Sequence, residues 1–315
     1  MSCDKTTNWS FEPSKFISFR DAKECARVRA IQKKDIGIPE KWHHPDFKIR
    51  VIETAEEFYG AYAADMYSRV KQARDEGRQI HLILPVGPMP QYAVFAHIVN
   101  QTRLPLNHVH TWNMDEYANE QGITAPATWE GSFYTAMQKN FFQLIAPESR
   151  PPAHQIHFPN SNNINDYSKM IADAGGADVC YGGIGWCGHI AFWESHLGDE
   201  FESLEDYKKA GARIVELNPM TIMQNALHSF SSDWSWVPPK AATIGPADIL
   251  GARYRSFWLD GMCGPPGSMG WQRFIARLAS HCYVNKYVPG SILQTAPGTY
   301  TILGGVAENV EINMA

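Results

Sequence analysis

The sequence predicts an α/β fold, a doubly wound and mostly parallel sheet with helices on both faces. Two observations carry this. Short apolar or alternating runs recur between longer stretches of helical periodicity, the rhythm of βαβ units. The run "IHLILP" (80–85) is also apolar almost throughout, as expected of a strand covered on both faces.

The elements follow in order. Residues 1–46, punctuated by Pro13, Pro39 and Pro45, read as an N-terminal extension with one helix near 20–34. Regular rhythm starts at "FKIRVIE", an alternating strand, and residues 47–315 read as a single α/β domain. Thr54 with Glu57 forms a capping box for a helix from 55 to about 76, closed by Gly77. After "IHLILP" come a helix from about Pro90 to Asn100, the strand "HVHTWNM" and the helix "SFYTAMQKNFFQLI". The strand "QIHFP", the helix "INDYSKMIADAG" and the strand "ADVCYGGIG" complete the first half. The second half reads as helix "PMTIMQNALHSF", strand "AATIG", short helix "PADILGA", strand "YRSFWLDG", helix "MGWQRFIARLASHC" and strand "TYTILGG". Ligands of such sheets bind beyond the carboxyl ends of the strands. Residues 85–90, 113–117, 183–194 and 259–264 are therefore where function is expected.

Composition narrows the class. Of 315 residues, 44% are hydrophobic and 19% charged, enough to bury a large core. A net charge of −5 gives no basic footprint, so no nucleic-acid partner is expected. No apolar run approaches the roughly 18 residues of a membrane span. With no apolar leader at the start, a soluble cytoplasmic protein is expected. The six cysteines form no C-x-x-C pair, so no zinc or redox motif is signalled and free thiols are the default. His108 and His110 would share a strand face, which permits a metal but is commonly just a half-buried strand.

Two strand ends carry polar groups able to do chemistry. "WNMDEY" sets Asp115 and Glu116 just past a buried strand. Adjacent residues there point opposite ways, so one faces the site, either as a base for a carbon-bound proton or as a helix cap. "GGIGWCGHIAFWE" places glycines, Gly183, Gly185 and Gly188 among them, before His189, permitting a tight turn and close backbone approach to a ligand. Glu194, five residues on, could orient the imidazole for moving a proton on and off a sugar oxygen. The alternative is a core histidine satisfied by backbone.

"NMDEY", then "SFYTAMQKNFF", then "GGIGWCGHIAFWE" resemble the glucosamine-6-phosphate deaminase/isomerase family, which shares its Rossmann-like fold with 6-phosphogluconolactonases. The resemblance spans about residues 47–262. It implies that Asp115 shuttles a proton between C1 and C2 of an open-chain sugar. It implies that His189 assists ring opening and that Glu194 supports His189. It also implies a small sugar substrate, no cofactor or metal, and a homo-oligomer. Substrate contacts are expected from Gly87, Glu116, Gly183, Gly185, Cys187, Gly188 and Trp193. Two departures stand out: Cys187 replaces the family's aspartate two positions before the histidine, and Trp193 replaces an asparagine, bringing an aromatic to the site mouth.

The family's phosphate loop aligns with "HLILPVGPMPQY", where Val86, Pro88 and Met89 replace two hydroxyl residues and one glycine. Proline removes an N–H donor. Leu227 and His228 stand where the family has an arginine, and "GMCGPPGSMG" lacks its lysine. Arg213, Lys240, Arg253 or Arg255 could compensate from new positions, but read more simply as surface charge. The expected function is an aldose–ketose isomerase, with or without deamination, with an altered phosphate site. The alternatives are a lactonase of the same fold and a non-catalytic sugar sensor.

Overall fold

The computed structural model describes residues 11–262, 270–312 and 314. A seven-stranded parallel sheet is built from β1 (Phe47–Ile52), β2 (Ile80–Leu84), β3 (Val109–Asn113), β5 (Ile156–His157), β6 (Val179–Gly182), β9 (Tyr254–Leu259) and β10 (Gly298–Leu303). Its order is β1-β10-β9-β6-β2-β3-β5. The expected doubly wound sheet is therefore present. A second sheet was not foreseen: β4 (Asp115–Ala118), β8 (Lys240–Thr243) and β7 (Arg213–Glu216) pair antiparallel in the order β4-β8-β7. "AATIG" thus belongs to this small sheet. The helices are α1 (Ala22–Arg29), α2 (Ala55–Asp75), α3 (Met89–Thr102), α4 (Phe133–Asn140), α5 (Ile164–Asp173), α6 (Leu204–Lys208), α7 (Pro219–Ser229), α8 (Pro246–Gly251), α9 (Arg273–His281) and α10 (Gly304–Ala307).

Helix α2 shows how sequence makes structure here. Thr54 Oγ1 accepts from the Glu57 N–H at 3.2 Å and starts the helix. Phe58, Tyr62, Met66, Val70 and Ala73 then line one face at helical spacing and are all buried. Phe58 meets Trp258 of β9 edge-on at 5.2 Å, and Tyr62 meets Tyr92 of α3 at 6.0 Å. Truncating Phe58 to alanine would cost about 3–5 kcal/mol.

The described part of the N-terminal segment is fastened to the domain along α9 and beside the loop of His189. Asp21 caps α1 by accepting from the Glu24 N–H. Cys25 and Val28 are buried, and Arg27 donates to the His281 carbonyl at the end of α9. Lys33 bridges Glu53 and Glu308, and Arg277 of α9 donates to the Ile31 carbonyl at 2.8 Å. Among the described residues no helix is long and apolar enough to cross a membrane.

Candidate active site

The four stretches singled out after strands converge on one cavity of about 240 Å³. Its wall includes Val86, Gly87, Pro88, Asp115, Gly183, Gly185, His189 and Asp260. Asp115 is placed by the junction of the two sheets. Between β3 and β4, the Met114 N–H donates to Leu84 O in the main sheet, while Met114 O accepts from the Ile244 N–H beyond β8. Asp115, the first residue of β4, faces the cavity, is 6% exposed, and its Oδ1 has no hydrogen-bond partner. Burial is the main cause that pushes its carboxyl up to about 8. The neighbouring Glu116 adds to this and His189 opposes it.

Glu116 points the other way, as strand alternation requires. Its carboxylate accepts from the N–H groups of Tyr117, Phe133 and Tyr134, each at 2.9 Å, and so holds the start of α4. The expectation that Glu116 touches substrate is corrected: it is not in the cavity wall. Burial dominates its titration too and lifts it to about 7 against those three donors.

His189 sits on the loop that leaves β6. The turn is closed by Gly188 N–H to Gly185 O at 2.9 Å and Gly185 N–H to His189 O at 3.0 Å. Two glycines are required. Gly188 adopts φ +86°, and a Cβ on Gly185 would lie 1.9 Å from His189 Nε2. The Nε2 end of the ring therefore lies close against the backbone of Gly185. Its Nδ1 is held from behind by Thr221 Oγ1 at 2.9 Å, Cys187 Sγ at 3.2 Å and Glu194 Oε2 at 3.5 Å. The Cys187 thiol and the Thr221 hydroxyl each donate to Glu194 Oε2 at 3.0 Å, and the Asn218 N–H donates to Glu194 Oε1 at 3.1 Å. Burial is the largest influence on His189 and disfavours the imidazolium. The Cys187 sulfur and the Glu194 carboxylate outweigh it and hold the ring well above its ordinary range. Burial likewise pushes Glu194 up, but His189, Cys187 and Thr221 bring it below its usual value.

Cys187 thus stands behind the imidazole and outside the cavity wall, as does Gly188, whose part is the turn. Trp193 is corrected more sharply. It is fully buried, packed against Phe201 and Tyr207, with the Arg213 guanidinium 4.7 Å over its ring. Ala191 at φ +54° and the Trp193 N–H to Ile190 O bond make a reverse turn just before it. The side chain is thereby carried into the core and away from the mouth.

Several wall residues had no signal in the sequence, His228 excepted, which the resemblance sets at the family's arginine position. Gln91 on α3, Gln224, Asn225 and His228 on α7, and Trp271 and Gln272 before α9 all line the cavity. Gln272 ties two loops together, accepting from the Gly261 N–H at 2.7 Å and donating to the Ile184 carbonyl at 2.5 Å. Thr221 was invisible because its partner His189 is 32 residues away.

No lysine or arginine is among the described wall residues. The four candidates for compensation are engaged elsewhere. Arg213 pairs with Glu200 at 2.7 Å, Lys240 approaches Glu216 at 3.9 Å, and Arg253 pairs with Asp178 at 2.7 Å. Arg255 donates to the Pro297 and Leu250 carbonyls, each at 2.9 Å. Residues 263–269, with Cys263, lie outside the described residues, as does Cys3; 263–269 contain no basic residue in sequence.

Among the described residues, Cys187, His189 and Glu194 form the one group whose ligand atoms lie close enough together to hold a metal, all within 4.8 Å. The hydrogen bonds between them already account for that approach. His108 donates from Nε2 to the Val70 carbonyl at 2.9 Å, and His110 of β3 stacks on His81 at 4.4 Å, so the two do not converge on an ion.

No family model matches the chain. It is 31% identical over 214 residues to a glucosamine-6-phosphate deaminase of Caenorhabditis elegans, covering 65% of this chain and 73% of the relative. The glucosamine-6-phosphate deaminase of Phocaeicola vulgatus is 30% identical over 213 residues, covering 64% and 74%. That of Shouchella clausii is 28% identical over 267 residues, covering 82% and 95%. Among solved structures, a monomeric glucosamine-6-phosphate deaminase superposes with a TM-score of 0.68 at 22% identity, over 82% of this chain and 98% of that one. The 6-phosphogluconolactonase of Thermotoga maritima gives 0.56 at 14% identity, over 82% and 99%, so it shares the fold. With a relative above 30% identity matched over nearly three quarters of its length, the chain belongs to the glucosamine-6-phosphate deaminase family of enzymes.

Proposed function

We propose that this protein isomerises a hexose or amino hexose between aldose and ketose forms by acid–base proton transfer, with loss of ammonia when the substrate is an amino sugar. The observation that carries the proposal is Asp115: a buried carboxylate oxygen with no partner, in the same cavity as His189. The ring nitrogen of His189 that is free of Thr221 and Cys187 is Nε2, and it is the one lying against Gly185 in the cavity wall. In ring opening, Nε2–H gives its proton to the ring oxygen as the C1–O bond breaks, and the anomeric hydroxyl gives its proton to water, leaving the C1 aldehyde; with an amino sugar, water later adds to the C2 imine and ammonia leaves. The Asp115 carboxylate then takes the proton from C2 and returns it at C1 through an enediol or enolamine. A carboxylate in a dry site is a stronger base than in water, which suits a carbon acid. Acid–base groups alone suffice, so no cofactor enters the scheme.

In this reading the wall's lack of basic residues goes with an altered phosphate site. We take residues 47–315 as one sugar-binding domain and 1–46 as an extension, of which α1 and Ile31 pack on α9. We place the enzyme in the cytoplasm and expect a symmetric homo-oligomer, to be checked by sedimentation.

The test is incubation with D-glucosamine, D-glucosamine 6-phosphate and the matching hexoses in D2O, followed by NMR. Deuterium at C1 or C2, lost in Asp115→Asn, is expected. Hydrolysis of a sugar lactone without exchange would favour the lactonase, and binding without either would favour a sensor.

A further inference from the structure

The part of the cavity beside the start of α3 is built from Val86, Gly87, Pro88, Gln91, His228 and Asp260. A helix start ordinarily offers free N–H groups to an anion. Here Pro88 and Pro90 have none, the Met89 N–H is already given to Gly87 O at 2.7 Å and the Tyr92 N–H to Pro88 O at 3.0 Å, so the first turn keeps a single free N–H, that of Gln91. Among the side chains, Gln91 and Asp260 bring acceptors to this end. Gln91 is 1% exposed. Its Nε2 donates to Asp260 Oδ2 at 2.9 Å, which leaves its Oε1 buried with no partner. Nearby in the wall, Trp271 Nε1 is a buried donor, also unpartnered.

Such a set asks for a group that donates and accepts at once. A hydroxyl does so, giving its proton to Gln91 Oε1 or Asp260 and accepting from a donor such as the indole. A phosphate dianion carries only acceptors, and it would face the Asp260 carboxylate with no lysine or arginine among the described wall residues to offset it. We infer that this end of the cavity reads a hydroxyl, and that Asp260 with Gln91 selects an unphosphorylated hexose or amino hexose over its 6-phosphate. The inference rests on the proposed reading of the cavity as a sugar site.

The test is calorimetric titration of the wild-type protein with D-glucosamine, D-glucosamine 6-phosphate and inorganic phosphate. D-glucosamine is expected to bind at least about 10-fold more tightly than the phosphate ester, because buried polar groups left unpaired discriminate strongly. Inorganic phosphate is expected not to bind. Asp260→Asn, verified as folded by circular dichroism, is expected to narrow the ratio at least about 10-fold by removing the repulsive charge. Equal or tighter binding of the 6-phosphate, binding of inorganic phosphate, or no binding of D-glucosamine overturns the inference without any variant. So does an unchanged ratio in folded Asp260→Asn. The D2O experiment separates the two readings. Exchange on the 6-phosphate alone overturns this inference and keeps proton transfer; tight D-glucosamine binding without exchange does the reverse.

Discussion

Replacing Asp115 by asparagine should make the protein more stable and nearly inactive. The ordinary value of the carboxyl is 3.8, and in the folded protein burial lifts it to about 8. Between those values the unfolded chain has released a proton that the folded chain still holds. A raised carboxyl therefore favours the fold at acid pH, and stability falls as pH rises from about 4 to about 8, by roughly 5 kcal/mol in all. Asparagine keeps the shape and removes the charge. Part of the gain is lost because the amide also lacks a partner, so about 2 kcal/mol should survive at pH 8. At about 2–4 °C per kcal/mol this raises the melting temperature by several degrees. Deuterium exchange should fall about 10²–10⁴-fold, the usual contribution of a positioned base. In the wild type, turnover should climb through about pH 8 as Asp115 ionises. A variant that melts lower than wild type at pH 8 yet melts equally at pH 4, or one that keeps its exchange rate, would refute the reasoning.

Three further changes test the rest of the site. Gly185→Ala should abolish exchange, because its methyl group would occupy the place of the His189 ring; an active Gly185→Ala would show that the ring can move without loss. Glu194→Gln removes the negative charge that helps hold His189 high, so the imidazolium should be lost at lower pH and the alkaline limb of the kcat profile should move to more acid values. An unmoved limb would mean Glu194 has no electrostatic part. Trp193→Phe should cost about 1–2 kcal/mol in urea unfolding, as a shape change in a packed core does, and leave KM unchanged; a large rise in KM would place Trp193 back at the site.

Much of this was legible from local pattern. The strands and most helices announced themselves by periodicity and caps, and the loops where function gathers follow from a parallel sheet. Glycine clustering marked the His189 turn because only glycine tolerates the φ of Gly188 and the approach at Gly185. What stayed hidden was non-local. The antiparallel sheet pairs strands of four residues, too short for alternation to register, and Asp115 points inward because β4 pairs with β8, where its partner Thr243 is 128 positions later (243 − 115). Trp193 misled because its place depends on Ala191 at positive φ, a conformation no side-chain pattern advertises. Gln91 and Asp260, 169 positions apart, come together only when the start of α3 meets the loop that leaves β9.

The place of β1 at the edge of the large sheet has a consequence for biosynthesis. Its one neighbour there is β10, and the paired residues Arg50 and Thr301 are 251 positions apart. At roughly 5–20 residues per second, the ribosome makes β10 some 10–50 s after β1. Through that interval β1 has no partner for its backbone, and once β9 is made, its edge that β10 will cover is open too for the last few seconds. The nascent chain must be kept from pairing with other chains until its last strand arrives, so yield from overexpression should depend on slow translation and chaperone supply more than on the stability of the finished fold.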